Sequence, residues 1–197
     1  NQIGANSQLA RAMAYYHDLG KTENPTMFVE NQIGYSNPHE NLLPYESANI
    51  IKSHVTEGVK LAKRFKIPEI VYKGIIEHHG DGVIRYFYEK EKLENNDVLK
   101  EDFRHLGQKP SSKESAILML ADSLEAACRA IFMVEDADDE KIKNVIEEIF
   151  NEKIADDQLS KAPITFEELS IIKESFQKSL EGLYHQRVLY PEISEEE

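Results

Sequence analysis

The chain has 197 residues, enough for one sizeable core, and its 41% hydrophobic and 30% charged residues are the balance of an ordinary globular domain. A formal charge of −13 excludes nucleic-acid polymers, which are bound through Lys and Arg contacts to phosphate; a small phosphate ligand would need metal ions or a few aimed cations. The single cysteine, Cys128, excludes a disulfide framework and points to a reducing compartment, and neither a signal-peptide pattern nor a run of eighteen apolar residues is present.

The opening stretch, "NQIGANSQLARAMAYYHD", reads as if it enters a helical domain midway, so upstream sequence is expected before it. Leu9, Ala10, Met13, Ala14 and His17 fall at helical spacing, with Gly20 as the expected stop. Residues 21–44, punctuated by Pro25, Gly34, Pro38 and Pro44, are expected to be irregular. A long amphipathic helix is predicted over 45–65, closed by Pro68, and a short one over 69–79, with Gly80 suited to its C-terminal cap. "VIRYFYEKEKLE" predicts another helix. Ser111 and Glu114 have capping-box spacing ahead of an apolar run to Met133. Helices over 138–153 and 165–190 complete the set, the last opened by a second capping box, Thr165 and Glu168. No period-2 strand pattern or internal repeat is present. The expected architecture is therefore one all-α domain over 1–190, followed by a frayed acidic tail over 191–197.

Six residues carry the chemistry. His17 and Asp18 are adjacent in "YYHDLGK", at a helix end. His54 shares a helix face with Ile50, Ile51, Gly58 and Leu61, and His78 and His79 end "IVYKGIIEHHG". Asp122 sits in "SAILMLADSLEAACRAIF", with Leu118 and Ala126 one turn away on either side. A lone histidine on an apolar face is usually a core residue with its hydrogen bonds satisfied. Three such places and two carboxylates on four helices weigh differently, because buried charged groups are typically paired or bound to metal. Imidazole with carboxylate suits Zn, Fe, Mn, Co or Ni. Neighbours on a helix point about 100° apart, so His17 and Asp18 can serve one site only where the helix ends. The same logic applies to His78 and His79 before Gly80.

"YYHDLGK", a downstream histidine, a His-His pair and a lone Asp in an apolar helix together resemble the HD-domain metal-dependent phosphohydrolases. The segments "FVENQIGYSNPHENLLPYESANIIKSHVTEGVKLAKRFKIPEIV", "EHHGDGVIRYFYEKEK", "EDFRHLGQKPSSKESAILMLADSLEAACRAI" and "LYHQRVLYP" resemble the cytoplasmic catalytic domain of the 7TM-HD receptors of the PgpH type. The resemblance implies an HD-domain helical bundle that hydrolyses cyclic di-AMP to linear pApA, in the cytoplasmic part of a membrane-anchored bacterial protein. It implies two divalent ions, Fe or Mn, bridged by Asp18; His17 and Asp122 hold the first, and His54, His78 and His79 the second. Family members carry a further histidine in an earlier helix for the first ion, and no histidine precedes His17 here. Two such ions would activate a water and neutralise phosphate oxygens.

Lys21 is the candidate for stabilising transition-state charge, although a loop lysine is as readily a solvated one. Arg129, two turns beyond Asp122, is the next candidate phosphate contact, with Asn37, Arg85, Tyr86 and Lys109 as further pocket candidates. His39, His105 and His185 lack an apolar helical setting and read as structural or surface residues. Two alternatives stand beside the phosphodiesterase. One is a non-catalytic nucleotide-sensing HD module. The other is an HD phosphohydrolase with another substrate such as cyclic di-GMP, although "HHGDGVIRYFY" lacks the Gly-Tyr-Pro tripeptide of that subgroup.

Overall fold

The computed structural model describes residues 2–32, 37–132 and 137–185, with His185 described by its backbone alone. Seven α-helices run through them: α1 Ser7–Tyr16, α2 Pro44–Arg64, α3 Glu69–Glu77, α4 Arg85–Glu94, α5 Lys113–Phe132, α6 Asp139–Ala155 and α7 Phe166–His185. Among the described residues there is no strand; an isolated antiparallel bridge joins Val83 and Arg104. The all-α expectation therefore holds. The expected helix ends at Met133 and Tyr190 and the tail 191–197 lie outside the described residues.

The local chemistry of each helix end explains where the elements start. Asn6 caps α1 by accepting the N–H groups of Gln8 and Leu9. Pro44 opens α2 at its first position, where a missing N–H costs nothing, and the Glu46 carboxylate accepts the Leu43 N–H at 3.1 Å. The second capping box is present as expected: Thr165 Oγ1 accepts the Glu168 N–H and Glu168 accepts the Thr165 N–H. The first one sits a residue later than its spacing suggests. Ser112 and Ser115 exchange hydrogen bonds at the start of α5, whereas Ser111 donates to Glu77 and Glu114 accepts the Asn6 N–H. The described residues of 21–44 are less irregular than expected. They wind through short 3-10 turns at Leu19–Glu23, Pro25–Met27, Val29–Asn31 and Pro38–Asn41.

Two apolar clusters flank the middle of the fold. The larger joins Leu120, Leu124 and Cys128 of α5 to Ile142, Ile146 and Phe150 of α6 and Leu169 and Ile172 of α7. The smaller joins Ala48 of α2 to Phe87 of α4 and Phe103. Between them α1 packs on α3 and α5, and α2 packs along the Leu19–Glu23 turn. Gly20 makes that contact possible. A Cβ on it would stand 1.8 Å from the His54 carbonyl oxygen and 2.6 Å from the Gly58 nitrogen. Its purpose is thus this close approach; the helix it was expected to stop has already ended at Tyr16.

Candidate metal centre

The four helices α1, α2, α3 and α5 bring all six predicted ligands together. Two groups of donor atoms result, each within 4.8 Å: His17, Asp18 and Asp122, and His54, His78 and His79. His17 caps α1 with helical backbone, and Asp18 then leaves the helix at φ −100°, ψ 16°. That departure turns the two neighbours toward one place. Gly80 does the same for the His78–His79 end, taking a left-handed φ of +57° that a side chain would strain.

Backbone carbonyls aim three of the imidazoles. His17 Nδ1–H donates to the Ala14 carbonyl at 2.8 Å, His54 to Ile51 at 2.5 Å and His78 to Ile75 at 2.9 Å. A carbonyl can only accept, so each Nδ1 carries the proton and each Nε2 faces the site, the orientation typical of metal-bound histidines. The Asp18 carboxylate spans the two groups. Its Oδ2 lies 3.1 Å from His17 Nε2 and 2.7 Å from Lys21 Nζ, while its Oδ1 lies 3.5 Å from His54 Nε2 and 3.6 Å from His78 Nε2. Asp122 also reaches both groups, with Oδ1 at 3.4 Å from His17 and Oδ2 at 3.6 Å from His79 Nδ1. It is partly exposed, like His17 and Asp18, where its apolar helix suggested a buried carboxylate.

These donors fit a pair of cations. Asp18 Oδ1 is buried with no hydrogen-bond partner, and the Nε2 atoms of His54 and His78 face each other at 3.1 Å. Burial pushes the His54 imidazole down to about 4, which leaves a neutral ring with a lone pair to offer. Burial would lower His17 too, but its hydrogen bonds to Asp122 and Asp18 outweigh that and lift it to about 10. Burial would raise the Asp18 carboxyl, yet its contact with His17 and the neighbouring His78 and Lys21 hold it far below the usual carboxylate range. Two carboxylates that hold a proton so firmly on an imidazole also favour a metal cation there.

The predicted substrate contacts divide. Lys21 sits beside the site but is already paired, with Asp18 at 2.7 Å and Glu30 at 2.5 Å, above the Phe28 ring. Arg129 pairs with Glu125 at 2.6 Å and reaches Glu30 at 4.0 Å. Asn37 accepts the His39 N–H and caps the turn that follows. Arg85, Tyr86 and Lys109 are not brought to the centre; no hydrogen bond, ion pair or ring contact links them to it among the described residues. Arg85 pairs with Glu152 across a cleft of about 850 Å³ between α4 and α6. Lys109 pairs with Asp157 at 2.8 Å, and Tyr86 is exposed against Phe87. His39 is structural as expected, its Nε2 bonded to the Met27 carbonyl at 2.7 Å; the His185 side chain lies outside the described ones. His105 departs from expectation. Its ring stacks on His79 with centroids 4.2 Å apart. Nothing in the spacing of "FRHLGQ" signals this. Glu30, the shared partner of Lys21 and Arg129, was missed for the same reason.

A helical bundle that gathers a His-Asp pair, a lone His, a His-His pair and a distant Asp defines a class. The chain belongs to the HD domain family, which matches residues 1–127. Among known proteins it is similar to the cyclic-di-AMP phosphodiesterase PgpH of Bacillus subtilis (strain 168), with 41% identity over 98% of this chain and 27% of the relative. The PgpH of Listeria monocytogenes serotype 1/2a is also 41% identical, over 98% of this chain and 26% of the relative. The chain thus spans about a quarter of the length of these curated relatives. The crystal structure of the L. monocytogenes PgpH HD domain in complex with cyclic-di-AMP superposes with a TM-score of 0.89 at 39% identity, covering 93% of this chain and 84% of that one. No described helix is long and apolar enough to cross a membrane.

Proposed function

We propose that this domain is a metal-dependent phosphodiesterase that hydrolyses cyclic di-AMP to a linear dinucleotide. The observation that carries the reading is the Asp18 carboxylate, whose two oxygens face two separate donor groups and whose Oδ1 is buried without a partner. The similarity to PgpH supplies the substrate class. In this reading His17, Asp18 and Asp122 hold one ion; Asp18, His54, His78 and His79 hold the other; the mixed nitrogen and oxygen donors suit Fe or Mn. A bound pair supplies Lewis acidity to phosphate oxygens and acidifies a nucleophilic water. The chain's own part is orientation and charge. The Ala14, Ile51 and Ile75 carbonyls fix three rings, and Asp18 holds both groups in register. Lys21, paired with Asp18, and Arg129, which shares Glu30 with it, are the candidate cations for substrate phosphates. By the same resemblance the domain is cytoplasmic, within a membrane-anchored parent.

The test is elemental analysis of the purified domain together with single-turnover rates on cyclic di-AMP and cyclic di-GMP at equal metal loading. Two ions per chain and faster cleavage of the adenine compound are expected, because a pocket that hydrogen-bonds one base edge leaves groups unpaired with the other. Equal rates would refute the substrate assignment, and a chain that takes up no transition metal would refute the mechanism.

A further inference from the structure

We propose that His105 is a positioning residue for His79, acting through the face of its ring and not through a nitrogen. The proposal rests on the reading of His54, His78 and His79 as ligands of one ion. His17, His54 and His78 are each aimed by a carbonyl of their own helix. No hydrogen bond orients His79 in this way among the described residues, since it follows the end of α3 where the chain turns away at Gly80. His105 takes over that task. Its ring stacks on His79 with 26° between the planes, and it meets His54 edge-on with centroids 6.3 Å apart. It is therefore wedged against two of the three imidazoles.

The backbone delivers His105 to this place. Its N–H donates to the Gly82 carbonyl at 2.8 Å, Ile84 N–H donates to the Phe103 carbonyl at 2.8 Å, and the Arg104 guanidinium donates to the Asp81 carbonyl at 2.7 Å. Residues 103–105 are thus stitched along 81–84, directly after the histidine pair. The Nδ1 atom of His105 is buried with no partner, and His105 belongs to neither donor group. A buried ring nitrogen without a partner is costly. The site uses the flat face and bears that cost.

The experiment compares His105→Phe, which keeps a flat ring and removes the orphan nitrogen, with His105→Ala. Two readouts are taken: the ring signals of His79 by NMR in metal-free protein, assigned through their loss in His79→Gln, and the affinities for two Mn²⁺ or Co²⁺ ions by titration. In His105→Phe the His79 ring should keep a single sharp state, with both affinities within about twofold of the parent. In His105→Ala the His79 signals should broaden and one ion should bind roughly tenfold more weakly, the range of an outer-shell change. Should His105→Ala lose its helical signal, His105→Leu, which fills the space without a flat face, takes its place. Equal weakening in the Phe and Ala variants would show that the nitrogen acts and overturn the proposal, as would no change in either. A parent chain that binds no ion would refute the ligand reading alone, and the His79 signals would still decide the stack.

Discussion

Asp18 is the residue on which the proposed centre depends, because one of its oxygens faces His17 and Lys21 while the other, buried without a hydrogen-bond partner, faces His54 and His78. Its replacement by alanine should remove most bound metal and lower turnover by more than about 100-fold, beyond the outer-shell range. The helical circular-dichroism signal should persist, since neither apolar cluster includes Asp18. Normal metal content in Asp18→Ala would refute its bridging role. At this scale the candidate ligands were legible from residue type and helix position, because imidazoles and carboxylates on apolar faces need a partner of opposite character. The cations were not. Lys21 and Arg129 carry charge in the sequence, but their sharing of Glu30 arises from the packing of the 3-10 turns around 25–31, which no spacing encodes. His105 was illegible for a similar reason, since its neighbour is set by backbone pairing with residues 82–84.

At the scale of elements, the seat of the Leu19–Glu23 turn on α2 decides how well the two halves of the centre meet. The turn follows Asp18 directly, and the carbonyl it touches belongs to His54. Gly20→Ala would place a methyl group 1.8 Å from that oxygen, so turn and helix must separate. We expect a loss of about 1–3 kcal/mol, the usual range for overpacking, together with weakened metal binding. Gly182→Ala is the control, with nothing within 4 Å of its added carbon in α7; it should be neutral or gain up to about 1 kcal/mol. Thermal melts of both, with metal titrations, check the pair of outcomes. The helices themselves were readable from apolar period and punctuation, and the Thr165–Glu168 box from its spacing. The α5 cap was misplaced because two serines stand side by side. Tertiary contacts chose between them: buried Glu77 claims Ser111, which frees Ser112 to cap.

Across the whole molecule, polar bridges connect the segment that gives Phe103 to the smaller apolar cluster with the end of α6, whose Phe150 belongs to the larger. Arg104, on the segment beside His105, donates to both oxygens of Asp156 after α6, at 2.9 and 3.1 Å. Gln158 joins the same network through Asp81 and Asp156. The hydrogen bonds from Arg104 hold the Asp156 carboxyl below the usual range; Gln158 and the charge of Lys100 act in the same direction, against the effect of burial. A carboxyl depressed in the folded state contributes stability that is present above its unfolded value of about 3.9 and is lost as pH falls through the folded one. Arg104→Ala removes that contribution. At pH 7 it should cost about 1–2 kcal/mol, more than a surface pair because the fork is bidentate and partly buried. The gap between parent and variant should then begin to narrow below about pH 4 and go on narrowing as pH falls toward the lower folded-state value. Denaturant titrations of metal-free protein between pH 7 and 3 measure this, and histidine protonation common to both chains cancels in the difference. A gap that stayed constant across that range would mean that Arg104 stabilises the fold through its bond to the Asp81 carbonyl, which does not titrate, and not through Asp156.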